Sequence, residues 1–386
     1  MTPSFGARRS GDRDAGRLVA RYAQRFCRLH AGSHSVSSPL GAWLLLALVA
    51  PVSGGAERAE LEDVLGADTR SATRALEPLL DDVPEVVRAA LAVWGVRDWP
   101  APLPPTVSTG PVPTQAEADA WARRNTDNLV EHFPVGVTGM TAVLASALAT
   151  RISWRRPYEI ADAAALGPAW SARVRGALTL GGAEGYLTDV AGVGIVGVHT
   201  ALGDGSLQVT SVIARRDAPP DAVLAAAHDI ARAEAGGDEP QRRPLTQLPL
   251  GDGEFWTITE ERRPGGDQVR VVLPAWQVSS DHDLTADRGL GFGAAGRALA
   301  RVAAGGPDIE ARQTAFARYG RRGFEAAAVT AVAMRAGLAP AVPSRSMTLR
   351  FGHPYAVVAV TRARRRHDLW AGLPVFAAWI GEPSEA

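Results

Sequence analysis

The segment Gly323-Phe-Glu-Ala-Ala-Ala-Val-Thr-Ala-Val-Ala333 sets the hardest condition on any fold for this chain. Its alanines favour helix. Val329, Thr330 and Val332 favour strand, and Glu325 is its one charge. Such a stretch is suited to changing structure, because small side chains pass between strands without forcing them apart. Gly323 supplies a hinge at no steric cost. The reading that follows is an exposed loop that can later enter a sheet.

Composition narrows the function classes. Arginine and lysine together number 41 and acids 41, so the formal charge is zero and no nucleic-acid preference follows. Every basic residue other than histidine is arginine, which genome composition bias explains. Cys27 is the single cysteine, so no internal disulfide forms. It follows Leu18, Tyr22 and Phe26 at helical spacing, with Leu29 after it, and reads as a buried structural thiol. Arg8, Arg9, Asp12, Arg13, Asp14 and Arg17 surround no apolar core, so the N-terminus does not read as a secretory signal. The apolar run from Leu40 to Ala50 stops at Pro51, too short for a bilayer, and reads as a buried helix. A cytoplasmic location is expected, with extracellular as the alternative.

The motifs of catalysis are missing or out of context. Gly192-Val-Gly-Ile-Val-Gly197 and Gly291-Phe-Gly-Ala-Ala-Gly296 match a dinucleotide fingerprint, but the first is itself strand-like and the second follows no strand. Asp281-His282-Asp283 has no companion cluster at ligand spacing and reads as a solvated turn. No nucleophile elbow or phosphate-binding loop occurs. The expectation is no catalytic residue, no cofactor and no metal. Arg362, Arg364, Arg365 and Arg366 read as a solvated hairpin tip.

Helical patterns dominate the first third. The proline-rich stretch from Pro100 to Pro113 connects them to Thr114-Gln-Ala-Glu117, a capping box. This predicts a helix through Trp121 and Leu129 toward His132. Strand signals grow after Ser146, notably Leu207–Ile213 and Val269–Leu273. Residues 235–244 read as a polar loop and 305–308 as a turn.

Four stretches in order carry a family resemblance. Ser37-Ser38-Pro39-Leu40-Gly41 leads an apolar helix and then Ala59-Glu-Leu-Glu-Asp-Val-Leu-Gly66. Val143 to Trp154 precedes Pro157-Tyr158. The segment from Gly323 forms the third, and Phe351-Gly-His-Pro354-Tyr355 with Pro374 to Pro383 closes the chain. Together they resemble the serpins, and a bacterial, actinobacterial-like member among them. The resemblance implies an α+β fold of helices around three β-sheets in a single domain over 15–386, after a flexible N-terminus at 1–14.

It also implies a function: a suicide inhibitor of a serine protease of subtilisin, elastase or trypsin type, acting as a monomer without nucleic acid or membrane. The alternative is a non-inhibitory serpin that serves as a binding protein or recruited scaffold; an enzyme on this scaffold has no visible constellation. In the inhibitory reading Gly323, Phe324, Glu325, Ala326, Ala327, Ala328, Val329 and Thr330 form the loop hinge. Family spacing puts the scissile bond at Gly337-Leu338, with Arg335, Ala336 and Arg345 as further candidates. Ser38, Gly41, Ser146, Trp154 and Gln313 mark the region that gates sheet opening.

Three departures from the family pattern stand out. Phe324 replaces a small hydroxyl residue at the first inserting position, and Ala145, Ser146, Ala147 and Ala149 are expected to make room for its ring. Gln313 and Gly41 replace a His and its Ser partner, so the usual gate hydrogen bond is expected to be lost. Arg321-Arg322 replaces an acidic pair.

Overall fold

The computed structural model describes residues 14–26, 29, 32–97, 99, 102–238, 240–263, 266–303, 311–324, 342–365 and 368–385. Cys27, Arg366, the turn at 305–308 and residues 325–341 lie outside them.

Helix Pro39–Val49 is the axis of the core. The Ser38 hydroxyl accepts from the Gly41 N–H to cap it, and Pro39 stands in the first turn, where a missing N–H costs nothing. Every residue of the helix is buried, so it has no polar face. Helix Pro220–Gly236 covers a second apolar layer, with Val223, Leu224 and Ala227 against Val198, Val212 and Val358.

One antiparallel sheet runs Ser35–Ser37, Pro374–Ile380, Tyr355–Thr361, Leu207–Ile213, Gly194–Leu202, Gly185–Val190. Its middle strands are buried along their length, which explains their near-continuous apolar sequences. A second sheet runs Gly251–Asp252, Trp256–Arg263, Val342–Arg350, Gln268–Leu273, Gly176–Gly181, Glu159–Asp162.

The third sheet is divided. Trp276–Asp283 pairs with Arg312–Tyr319, which meets the two-residue strand Gly323–Phe324, which meets Ile152–Ser153. The chain of that last strand continues back through Arg151 to Val143–Thr150, which pairs with Val87–Trp94; Ser108–Gly110 lies parallel at the edge. Among the described residues no backbone ladder joins Arg312–Tyr319 to Val143–Thr150. Among the described residues the two parts are joined by Gly323–Phe324 at one end.

Helix Gln115–Asn125 lies over the outer face of Val87–Trp94 and Val143–Thr150, with the Thr114–Glu117 capping box in place. It stops short of Leu129. Asp127 and Asn128 adopt φ of 51° and 63°, a left-handed backbone that ends the helix. Asp281, His282 and Asp283 end a strand and do not form a turn: the His282 ring bonds the Val36 carbonyl and Asp283 bonds Thr285. Among the described residues no helix is long and apolar enough to cross a membrane, and no group of three or more His, Cys, Asp or Glu is placed to hold a metal ion.

Candidate functional site

The structure places Gly323 and Phe324, the first two residues of the expected hinge, inside the sheet. Gly323 stands opposite Ser153, and Phe324 stands between Ile152 and Tyr319. Phe324 is 3% exposed. Its ring packs edge-on against Trp276 at 6.1 Å and tilted against Phe376 at 6.5 Å. The space for it does not come from Ala145 and Ala147. Those side chains point to the other face, under Trp121 and Phe133. The rest of the hinge, Glu325 to Thr330, and the candidates Arg335, Ala336, Gly337 and Leu338 lie outside the described residues.

The turn before the hinge is held by all three of its carbonyls. Trp154 Nε1 donates to Gly320 O at 2.9 Å, the Tyr158 N–H to Arg321 O at 2.9 Å, and the Trp154 N–H to Arg322 O at 2.9 Å. Trp154 therefore braces the turn that leads into Gly323 and Phe324. Its ring lies 4.7 Å from that of Tyr319.

Behind this turn runs a buried polar chain that the sequence reading missed. The Tyr158 hydroxyl is 2.5 Å from that of Tyr319 and 2.6 Å from His199 Nε2, while His199 Nδ1 is 2.8 Å from Glu184 O. Burial pulls His199 down to about 4, so the ring is neutral at pH 7. A carbonyl only accepts, so Nδ1 carries the proton and Nε2 accepts from Tyr158. Tyr319 then donates to Tyr158. Burial also raises both tyrosines, which keeps them protonated donors. Tyr158 stands in a quoted motif; nothing in its sequence neighbourhood pointed to His199, 41 positions away.

The other end of Arg312–Tyr319 carries the gate residues. Gly41 has no side chain to make the usual gate bond, and Gln313 makes a different one, to the backbone of Ser38. Gln313 Oε1 accepts from the Ser38 N–H at 2.8 Å and Gln313 Nε2 donates to Ser38 O at 2.9 Å. The Ser38 hydroxyl donates to Val375 O at 2.8 Å. A carboxamide thus holds the start of the axial helix by two backbone bonds. Gly41 has a packing reason: a Cβ there would lie 2.9 Å from Leu148 Cδ1 and 3.0 Å from Ser146 Oγ. The axial helix therefore touches both halves of the divided sheet, at Gln313 on one side and at Ser146 and Leu148 on the other.

Arg345 lies in the strand Val342–Arg350, where it pairs with Glu260 on one edge. Its N–H donates to Asp267, and its guanidinium donates to Leu245 O, Leu248 O and Glu260. A protease binds an extended segment whose backbone edges are free. Arg345 does not offer that, so it drops out as a scissile position. The arginine tip is ion-paired and not simply solvated: Arg364 bonds Asp368 and Asp82, and Arg365 also meets Asp82.

No family profile matches the sequence, and no curated protein does so either. Solved structures do. Human thyroxine-binding globulin in complex with its hormone is 13% identical with a TM-score of 0.65, covering 97% of this chain and 100% of that one. The native thermophilic serpin Tengpin is 13% identical with a TM-score of 0.64, covering 99% and 96%. A serpin of the insect Tenebrio molitor is 15% identical with a TM-score of 0.61, covering 97% and 99%. With its helices packed on several sheets and these full-length superpositions, the chain has the serpin fold.

Proposed function

We propose that this chain is a suicide inhibitor of a serine protease, acting by loop cleavage and insertion into the main sheet. One observation carries the reading. Gly323 and Phe324 pair between Arg312–Tyr319 and Ile152–Ser153, and among the described residues no ladder joins Arg312–Tyr319 to Val143–Thr150 in the direction that strand would grow. In this reading the protease serine attacks a carbonyl within 335–338, and its Oγ–C bond forms as the peptide C–N bond breaks. The new amino terminus leaves, and the acylated strand is free to add to the sheet. Ladder hydrogen bonds then replace bonds to water along its backbone. Burial of Phe324 against Trp276 and Phe376 supports entry of an aromatic ring at the first position.

The test is incubation with trypsin-, elastase- and subtilisin-type proteases, read on a denaturing gel and by mass spectrometry. The expected product is a covalent complex with the cut inside 335–338. The loop-cleaved protein is expected to melt higher than the intact one. Clean turnover of the loop with no complex and no rise in melting temperature refutes the reading.

A further inference from the structure

Arg321-Arg322, the pair that departs from the family pattern, has no part in the loop reading. Both residues line a cleft of about 1030 Å³ beside Gly323. Among the described residues four arginines, Arg151, Arg318, Arg321 and Arg322, share its lining with one carboxylate, Glu385. That carboxylate already accepts from the Arg175 N–H at 3.1 Å.

Some surface arginines meet acids: Arg297 lies against Glu57 and Glu60, and Arg243 against Asp189. Arg318 and Arg322 are exposed, and their guanidinium groups hold no hydrogen-bond or ion-pair partner among the described residues. Arg321 donates through Nε to Tyr158 O at 3.1 Å, which fixes the side chain on the rim. The floor includes Trp276 and Tyr319, both buried. A cleft lined by one sign of charge over low-dielectric walls concentrates counter-ions. Guanidinium forks match the geometry of phosphate and sulfate oxygens.

The geometry points to a binding site for a small multivalent oxyanion, carrying adjacent phosphate or sulfate groups, in the cleft of Arg151, Arg318, Arg321 and Arg322. Such a ligand relieves the crowding of like charge on one short turn. Because Arg322 directly precedes Gly323, the ligand also holds the turn from which the hinge enters the sheet. The site does not depend on protease inhibition, so the two proposals fail separately.

Calorimetric titration of the intact protein tests it, with sodium tripolyphosphate and sucrose octasulfate as separate probes at about 0.15 M ionic strength. The variants are Arg318→Ser, Arg322→Ser and the double variant, with Arg365→Ser as a charge control away from the cleft. The expected result is saturable binding of at least one probe with one site per chain. The tighter probe identifies phosphate or sulfate as the source. Each cleft variant weakens binding about tenfold or more, since a charge-assisted bond is lost, while the control leaves it unchanged. No saturable binding of either probe overturns the site. So does equal weakening by Arg365→Ser, which would report net charge alone, or full binding by the double variant.

Discussion

Where the chain enters residues 325–341 its last strand pairing is the short one of Gly323 and Phe324 with Ser153, Ile152 and Tyr319. Where it leaves, Val342–Arg350 lies inside a sheet. On one side it pairs with Trp256–Arg263 from Leu349–Trp256 to Val342–Arg263, and on the other with Gln268 to Val272. A two-residue strand can lengthen or retreat one pair at a time. An interior strand leaves only by breaking two ladders together and exposing Met347 and Leu349, both fully buried. The contrast teaches that the entry strand can give way where the exit strand cannot. In the inhibitory reading, cutting the chain is the step that frees the inserting half without disturbing the exit.

The largest test of that contrast is Leu349→Ala. Leu349 packs where a Cβ on Gly197 would come within 2.5 Å of its Cδ1, so neighbouring atoms surround it closely. The expected loss is about 2–5 kcal/mol of unfolding free energy, read by urea denaturation. A loss below about 1 kcal/mol would show that the exit strand is not the fixed end.

A second test uses acid. His199 titrates near 4 in the folded protein, below its ordinary 6.5. Below pH 6.5 the unfolded chain binds a proton that the folded ring refuses, so stability is complete above 6.5 and falls toward 4. The slope is about 1.4 kcal/mol per pH unit for one such group; His228, also near 4 through burial, adds in the same sense. At the entry, charging His199 makes Nε2 a donor and reverses the bond from Tyr158. Denaturation at pH 7 and pH 5 checks this, and equal stability at both would contradict it.

The smallest expected effect is Phe324→Ala. Exposing an apolar side chain of this size costs about 1.5–3 kcal/mol, because loss of the ring lets a two-residue strand return to water and leaves no rigid cavity. Amide exchange at residue 324 is expected to quicken while that at Leu349 stays slow. If both amides exchange at the same rate, the two ends are not unequal.

Much of the fold was legible in the chain. Ser38 and Pro39 start the axial helix, Thr114 and Glu117 start the helix over the main sheet, and the β-branched run Leu207–Ile213 forms its strand, because these signals are local. The helix end at Asn125 was misjudged because apolar spacing continues past Asp127 and Asn128, whose left-handed backbone overrides it. The site was legible only in part. Phe324 and Gln313 stood out as departures from a pattern, but what they touch is set by Trp276, Phe376 and Ser38, remote in sequence. The strand Trp256–Arg263 was overlooked, although Thr257, Ile258 and Thr259 carry β-branched side chains.

A carboxamide has no proton to gain or lose in ordinary acid. Gln313 therefore makes a latch between strand and axial helix whose grip is the same in a neutral and in a mildly acidic medium. A histidine there would loosen or tighten with protonation. The strand Arg312–Tyr319 thus separates two kinds of response along its length: an acid-blind fastening at Gln313, and at Tyr319 a contact that leads to the one imidazole of the entry network.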